Sequence, residues 1–161
     1  MKNWPGDLLI FTDGASNISK IVREIQKQKW SKGILVYRLF GDMPLSEQEM
    51  VIERKKSRKI VVATNIAETS LTIPGIRIVI DSGIAKIFNF DSNREINTLL
   101  PEKICRSSAD QRSGRAGRTS PGVCIRLWSE LDHLERPKFR EAEIHRLDLS
   151  ELFLKLLSSK N

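Results

Sequence analysis

Cysteine, glycine, proline and long apolar runs are all scarce in this chain, and each scarcity excludes something. Only Cys105 and Cys124 occur among 161 residues. No disulfide framework can brace the fold, the thiols read as structural, and a reducing cytoplasm is the compartment such usage predicts. Nine glycines and six prolines are too few for a collagenous or low-complexity chain. No apolar stretch nears the ~18 residues that span a bilayer, so no membrane partner is expected. The opening residues, Met1-Lys2-Asn3-Trp4-Pro5-Gly6-Asp7, hold no apolar core of a secretion signal. His133 and His145 stand apart from any cysteine or carboxylate at ligand spacing, so no metal site is expected. What is present is a globular composition, 40% hydrophobic and 29% charged, in a length that suits one domain with its own core. Lys plus Arg total 27 against 20 Asp plus Glu, a net charge of +7. That excess favours an anionic partner, nucleic acid first.

Short apolar runs alternate with helical spacings. Leu8-Leu9-Ile10-Phe11 reads as a buried strand closed by the turn residues Thr12-Asp13-Gly14. Ile18, Ile21, Val22 and Ile25 have helical spacing, with Ser16 or Asn17 as a cap. Further strands are predicted over residues 34–37, 59–63, 76–80 and 123–127. Capping-box spacings at Ser46-Glu47-Gln48-Glu49 and Ser108-Ala109-Asp110-Gln111 mark two helix starts. Leu149, Leu152, Phe153, Leu156 and Leu157 predict a final amphipathic helix over about 148–159. The basic run 54–59 reads as a solvated loop between helix and strand. Together these predict an α/β fold, three-layered, with a mostly parallel sheet. Ligands of such sheets gather outside the carboxyl ends of the strands, where Thr12-Asp13-Gly14, Thr64-Asn65 and Asp81-Ser82-Gly83 fall. One region breaks the alternation. Two strand patterns flank Asp91-Ser92-Asn93-Arg94, which predicts a β-hairpin inserted over about 85–100.

The segment richest in chemistry is Gln111-Arg112-Ser113-Gly114-Arg115-Ala116-Gly117-Arg118. Its three arginines recur at every third residue. On a helix they would form one basic ridge drifting about 60° per step. Glycine inside a helix costs ~1 kcal/mol relative to alanine, so two glycines here point to a close backbone approach. Guanidinium groups grip phosphate with paired hydrogen bonds that lysine cannot copy. The plain alternative is a solvated basic face or a simple RNA-binding patch.

The residues carry a resemblance that chooses between these. Gln111 to Arg118 resembles the QRxGRxGR motif of superfamily-two helicases. Residues 58–83, RKIVVATNIAETSLTIPGIRIVIDSG, resemble the strand-to-loop motif of DEAH-box helicases, and ATNIAETSLTI is specific to that group. Residues 37–44 resemble the family's Y-x-L-x-G-x-x-P stretch, and 6–14 its first strand and turn. The run Arg126-Leu127-Trp128-Ser129-Glu130 with Glu143-Ile144 is similar to bacterial HrpB-type members. The likeness covers nearly the whole chain in order, and identifies residues 1–161 as the second RecA-like, helicase C-terminal domain of a DEAH-box ATP-dependent RNA helicase.

By this resemblance the cofactor is ATP with Mg2+, bound between two RecA-like domains. The first domain, a partner of this one, holds the phosphate loop and the metal. Carried over by position, Gln111 would orient the attacking water, and Arg115 and Arg118 would act as arginine fingers. Arg112 would hold the motif in place. Ser70 and Ile52 would also lie at the nucleotide. Ile52 stands where several relatives place an aromatic residue against the adenine, and Pro74 where many have an acid. Thr64, Asn65, Thr12 and Gly14 would contact the backbone of single-stranded RNA or DNA, without reading its sequence. Phe88 and Arg94 on the hairpin would lie near the point of strand separation, with Phe90 beside them. Glu68, Thr69 and Ser70 would couple the nucleotide cleft to the nucleic acid.

The chain contains no Gly-Lys pair and therefore no GxxxxGK phosphate loop, and no Asp-Glu pair for the DEAH residues. Alone it is expected to be inactive in ATP hydrolysis. A non-catalytic nucleic-acid-binding module that keeps the helicase fold is the second reading, and the retention of Gln111, Arg115 and Arg118 in order favours the motor.

Overall fold

The computed structural model describes residues 6–69, 71–118 and 121–159. In chain order the elements are β1 (Asp7–Phe11), α1 (Ala15–Lys27), β2 (Leu35–Leu39), α2 (Leu45–Ile52), β3 (Lys59–Ala63), α3 (Ile66–Thr69) and β4 (Ile76–Asp81). They continue with β5 (Ile84–Asp91), β6 (Ile96–Lys103), α4 (Arg106–Ser113), β7 (Val123–Arg126), α5 (Glu130–Glu135) and α6 (Ser150–Ser158). Five strands form one parallel sheet in the order β2-β3-β1-β4-β7. β5 and β6 pair only with each other, antiparallel.

The pleat divides the core in two. Leu9, Phe11, Val61, Ala63 and Val79 face one side, packed with Val51, Ala67 and Ala116. Leu8, Ile60, Val62 and Ile78 face the other, packed with Ile18, Val22 and Ile25 of α1. Every residue of β3 is buried, because a sheet covered on both faces has no solvent side and its central strands read as unbroken apolar runs. The result is the three-layered α/β arrangement expected from the alternation.

Several local expectations need correction. α1 begins at Ala15, two residues earlier than a Ser16 cap allows and three earlier than an Asn17 cap. Gly14 is its cap residue, and the Asn17 amide instead donates to Asp13 Oδ1 at 2.6 Å. Neither predicted capping box forms. α2 opens straight after Pro44 without a side-chain cap, and Ser108 lies inside α4, which starts at Arg106. The basic run 54–59 is not wholly solvated. Lys59 is 1% exposed, and its Nζ donates to the carbonyls of Val51 at 2.7 Å and Glu53 at 3.1 Å. A cation there satisfies the orphan carbonyls at the end of α2, although burial pulls the ammonium below its usual pKa despite the nearby Asp7.

The hairpin runs three residues beyond its predicted end and includes Pro101, which an unshared strand edge tolerates. Its root is held by a third small core of Ala85, Ile87, Ile104 and Ala109 with Trp128 against it. Gly83, at φ +76, makes the turn into the hairpin, and a Cβ there would meet Trp128 at 2.6 Å. Arg136 closes this corner. It is 4% exposed, donates to the carbonyls of Gly83 at 2.8 Å and Ile104 at 3.0 Å, and lies 4.4 Å from the centre of the Trp128 ring. α6 has the predicted spacing, but Leu152, Phe153, Leu156 and Leu157 are all exposed. No helix among the described residues is long and apolar enough to cross a membrane. Cys105 is buried and Cys124 half-buried, both as free thiols.

Candidate functional site

The predicted arginine ridge does not form. α4 ends at Ser113, directly before Gly114, and the three arginines part company. Arg112, on the last turn of α4, is fully buried. Its Nε donates to Glu68 Oε2 at 3.0 Å and its Nη1 to Asp81 Oδ1 at 2.8 Å, with the guanidinium 4.7 Å over the ring of Phe11. Ser108 donates to the other oxygen of Glu68, and the Gly83 N–H donates to Asp81 at 2.9 Å. Buried charge persists only when paired and hydrogen-bonded, and this cluster ties α4 to α3 and to the end of β4.

Arg115 turns toward α3. Its guanidinium donates to the Glu68 carbonyl through Nε at 2.9 Å and through Nη2, and to the Leu71 carbonyl through Nη1 at 2.8 Å. Burial, and then the neighbouring charge of Arg118, push its pKa below the usual arginine value. Arg118 is exposed. These two like-charged groups share an open cavity of about 400 Å³ with Gln111, Gly114, Glu68 and Thr69. Such a pair repels itself until an anion stands opposite, and guanidinium forks suit phosphate oxygens. Ile52 is half-buried at the end of α2 and does not line this cavity. Ser70 lies outside the described residues.

A second opening, a groove of about 410 Å³, lies at the carboxyl ends of β1 and β3, where a parallel sheet is expected to bind. Gly14, Thr64 and Asn65 form one wall, and Lys86, Phe88 and Leu99 of the hairpin another. The N-terminus of the 13-residue α1, with no acidic residue in its first turn, opens at Gly14, so backbone N–H groups and the positive end of the helix meet there. Thr12 is set apart from this wall. It is 5% exposed, and its hydroxyl donates to Asp13 at 3.1 Å. Burial opposes ionisation of Asp13, but the Asn17 amide, a backbone N–H, the Thr12 hydroxyl and Lys86 outweigh it and hold the carboxyl below its usual range. Arg94 is exposed in the hairpin turn, 3.8 Å from Asp91, and does not line the groove.

Residues 64–69 join the two openings. Thr64 and Asn65 line the groove, and Glu68 and Thr69 line the arginine cavity. The intervening turns are closed by Glu68 N–H to the Asn65 carbonyl at 2.9 Å. The groove also has a wall that the motifs did not indicate, made by Arg140, Glu143 and Arg146. In the sequence Glu143 belongs only to the HrpB-type likeness, and the isolated arginines around it carry no local pattern.

The model of the helicase conserved C-terminal domain matches residues 1–120. The ATP-dependent RNA helicase HrpA of Borreliella burgdorferi is 43% identical over 153 residues, covering 94% of this chain and 19% of that protein. HrpA of Escherichia coli is 42% identical over 151 residues, covering 94% of this chain and 12% of its own length. The crystal structure of the Escherichia coli DEAH/RHA helicase HrpB superposes with a TM-score of 0.83 at 35% identity, over 98% of this chain and 20% of that one. The chain thus spans a fifth or less of the length of these relatives. On the family model, which matches about three quarters of its residues, the chain belongs to the helicase conserved C-terminal domain family.

Proposed function

We propose that this chain is the second motor domain of an ATP-dependent RNA helicase, completing an ATP site at the arginine cavity and holding single-stranded RNA in the groove. The observation that carries the reading is the shared segment 64–69, with one end in each opening. A domain that only bound nucleic acid would have no use for a pair of crowded guanidiniums beside Gln111 at the other end.

In this reading Arg118 stabilises charge on the γ-phosphate, Gln111 orients water, and Arg115 joins Arg118 by exchanging its carbonyl partners for phosphate oxygens. Phosphoryl transfer is dominated by such positioning and charge stabilisation. In this reading the Mg2+ and the phosphate loop belong to a companion RecA-like domain. Asn65, Thr64 and the α1 N-terminus hold the RNA backbone, and Glu68 and Thr69 pass the state of one opening to the other through α3.

The test combines two assays of the chain. A single-stranded oligouridylate should bind, and more weakly as salt rises. The chain alone should hydrolyse no ATP above background. Absence of binding, or metal-dependent turnover by the chain alone, would overturn the reading.

A further inference from the structure

A two-stranded ribbon is at best marginally stable by itself, and the core under this hairpin reaches only to its root at Ala85 and Ile87. Its middle is held by another part of the chain. After a 3-10 turn at Glu143–His145, the Arg146 guanidinium donates to the Phe88 carbonyl and, at 3.3 Å, to Asn89 Oδ1. The Arg146 carbonyl in turn accepts the Phe90 N–H at 3.0 Å. On the other strand, Asn97 Nδ2 donates to the Asp148 carbonyl at 3.0 Å while its Oδ1 accepts the Asp148 N–H at 3.0 Å. Arg146 is itself braced by the Glu141 carbonyl at 3.1 Å and by Glu143 at 3.5 Å, and its side chain is 12% exposed. Both strands are therefore clasped by residues 141–148, and two of these residues, Glu143 and Arg146, also line the groove.

We propose that residues 141–148 are a strap that fixes the angle of the hairpin and so the width of the RNA groove, with Arg146 and the Asn97–Asp148 pair as its two clasps. Arg146 is a positioning residue. Its Nη1 is aimed at hairpin oxygens while Nε and Nη2 face Glu141 and Glu143, and it acts on RNA through Phe88, which faces the groove. The strap rests on the groove reading given above, but its mechanical part stands independently of RNA.

The experiment compares Arg146→Ala and Asn97→Ala in the whole 161-residue chain by amide hydrogen exchange and by oligouridylate binding across a salt series. Asn97→Ala changes no charge. Hairpin amides, Phe90 first, are expected to exchange about tenfold faster or more in both variants, while the amides of β1 and β3 keep their protection. Oligouridylate should bind about tenfold more weakly in both, with the slope of log affinity against log salt unchanged in Asn97→Ala. Wild-type hairpin protection in both variants would overturn the strap. So would a salt slope about one smaller in Arg146→Ala with hairpin protection intact, since that is the mark of a lost phosphate contact. If Arg146→Ala also loses protection in β1 and β3, Asn97→Ala decides. If the wild-type chain binds no oligouridylate, the RNA reading fails and the exchange data alone judge the strap.

Discussion

The arginine cavity and the hairpin lie on one short chain of residues yet are built in opposite ways. At the cavity, charge is buried and its partners are internal. Arg112 is spent on Glu68 and Asp81, and Arg115 on two carbonyls, leaving Arg118 exposed at the rim. At the hairpin, apolar side chains are exposed, with Phe88 at 48% and Leu100 at 54%, and orientation depends on two hydrogen-bonded clasps. The difference teaches that the net charge of +7 is not one diffuse patch. Arginines are used first as internal fasteners, at Arg112, Arg136 and Arg146, where a planar fork can reach two acceptors at once. The groove itself mixes Lys86, Arg140 and Arg146 with Asp13, Asp42 and Glu143, so in the proposed function it would grip RNA more by placed donors than by bulk charge.

The contrast can be broken most severely at Arg112. Arg112→Ala strands Asp81, which is 0% exposed, and should cost ~3–5 kcal/mol in urea denaturation; a loss under ~1 kcal/mol would mean the cluster is not a fastener. Next is the corner between sheet and hairpin. Gly83→Ala must place a Cβ against Trp128 at positive φ, and should destabilise by ~1–3 kcal/mol, read from the same transition. Asn65→Ala, on an exposed side chain, should leave stability alone and weaken oligouridylate binding by ~1 kcal/mol, read by fluorescence anisotropy. Glu24→Gln, which removes an exposed pair with Lys27 at 2.6 Å, should change stability by no more than ~0.5 kcal/mol. That last variant sets the scale for a surface pair against the buried cluster.

Much of the fold was legible because its strands are apolar on both faces. Residues 59–63 are predicted and observed as the same strand, and residues 18, 22 and 25 are buried together as their spacing requires. The failures share a cause. Where tertiary contacts supply the partners, local rules lose. Ser108 leaves its capping role for Glu68, and Lys59 leaves solvent for the end of α2. The arginine spacing makes a ridge only on a continuing helix, and α4 stops before Gly114. The motif residues Gln111, Arg115 and Arg118 line one cavity with Glu68 and Thr69. The motif could not reveal that Arg115 is occupied by carbonyls 44 and 47 residues away in sequence. Nor could it reveal the strap, whose partners are separated by more than fifty residues and carry no local signature.

The most direct measurement is ATP turnover by this chain joined to a RecA-like companion domain that carries a phosphate loop, wild type against Arg118→Ala. The account predicts a fall in kcat of ~10³ or more, with the thermal transition unchanged because Arg118 is exposed and supports nothing in the core. A fall of less than about tenfold would contradict the assignment of Arg118 to the transferring phosphate, and with it the claim that this domain completes the ATP site.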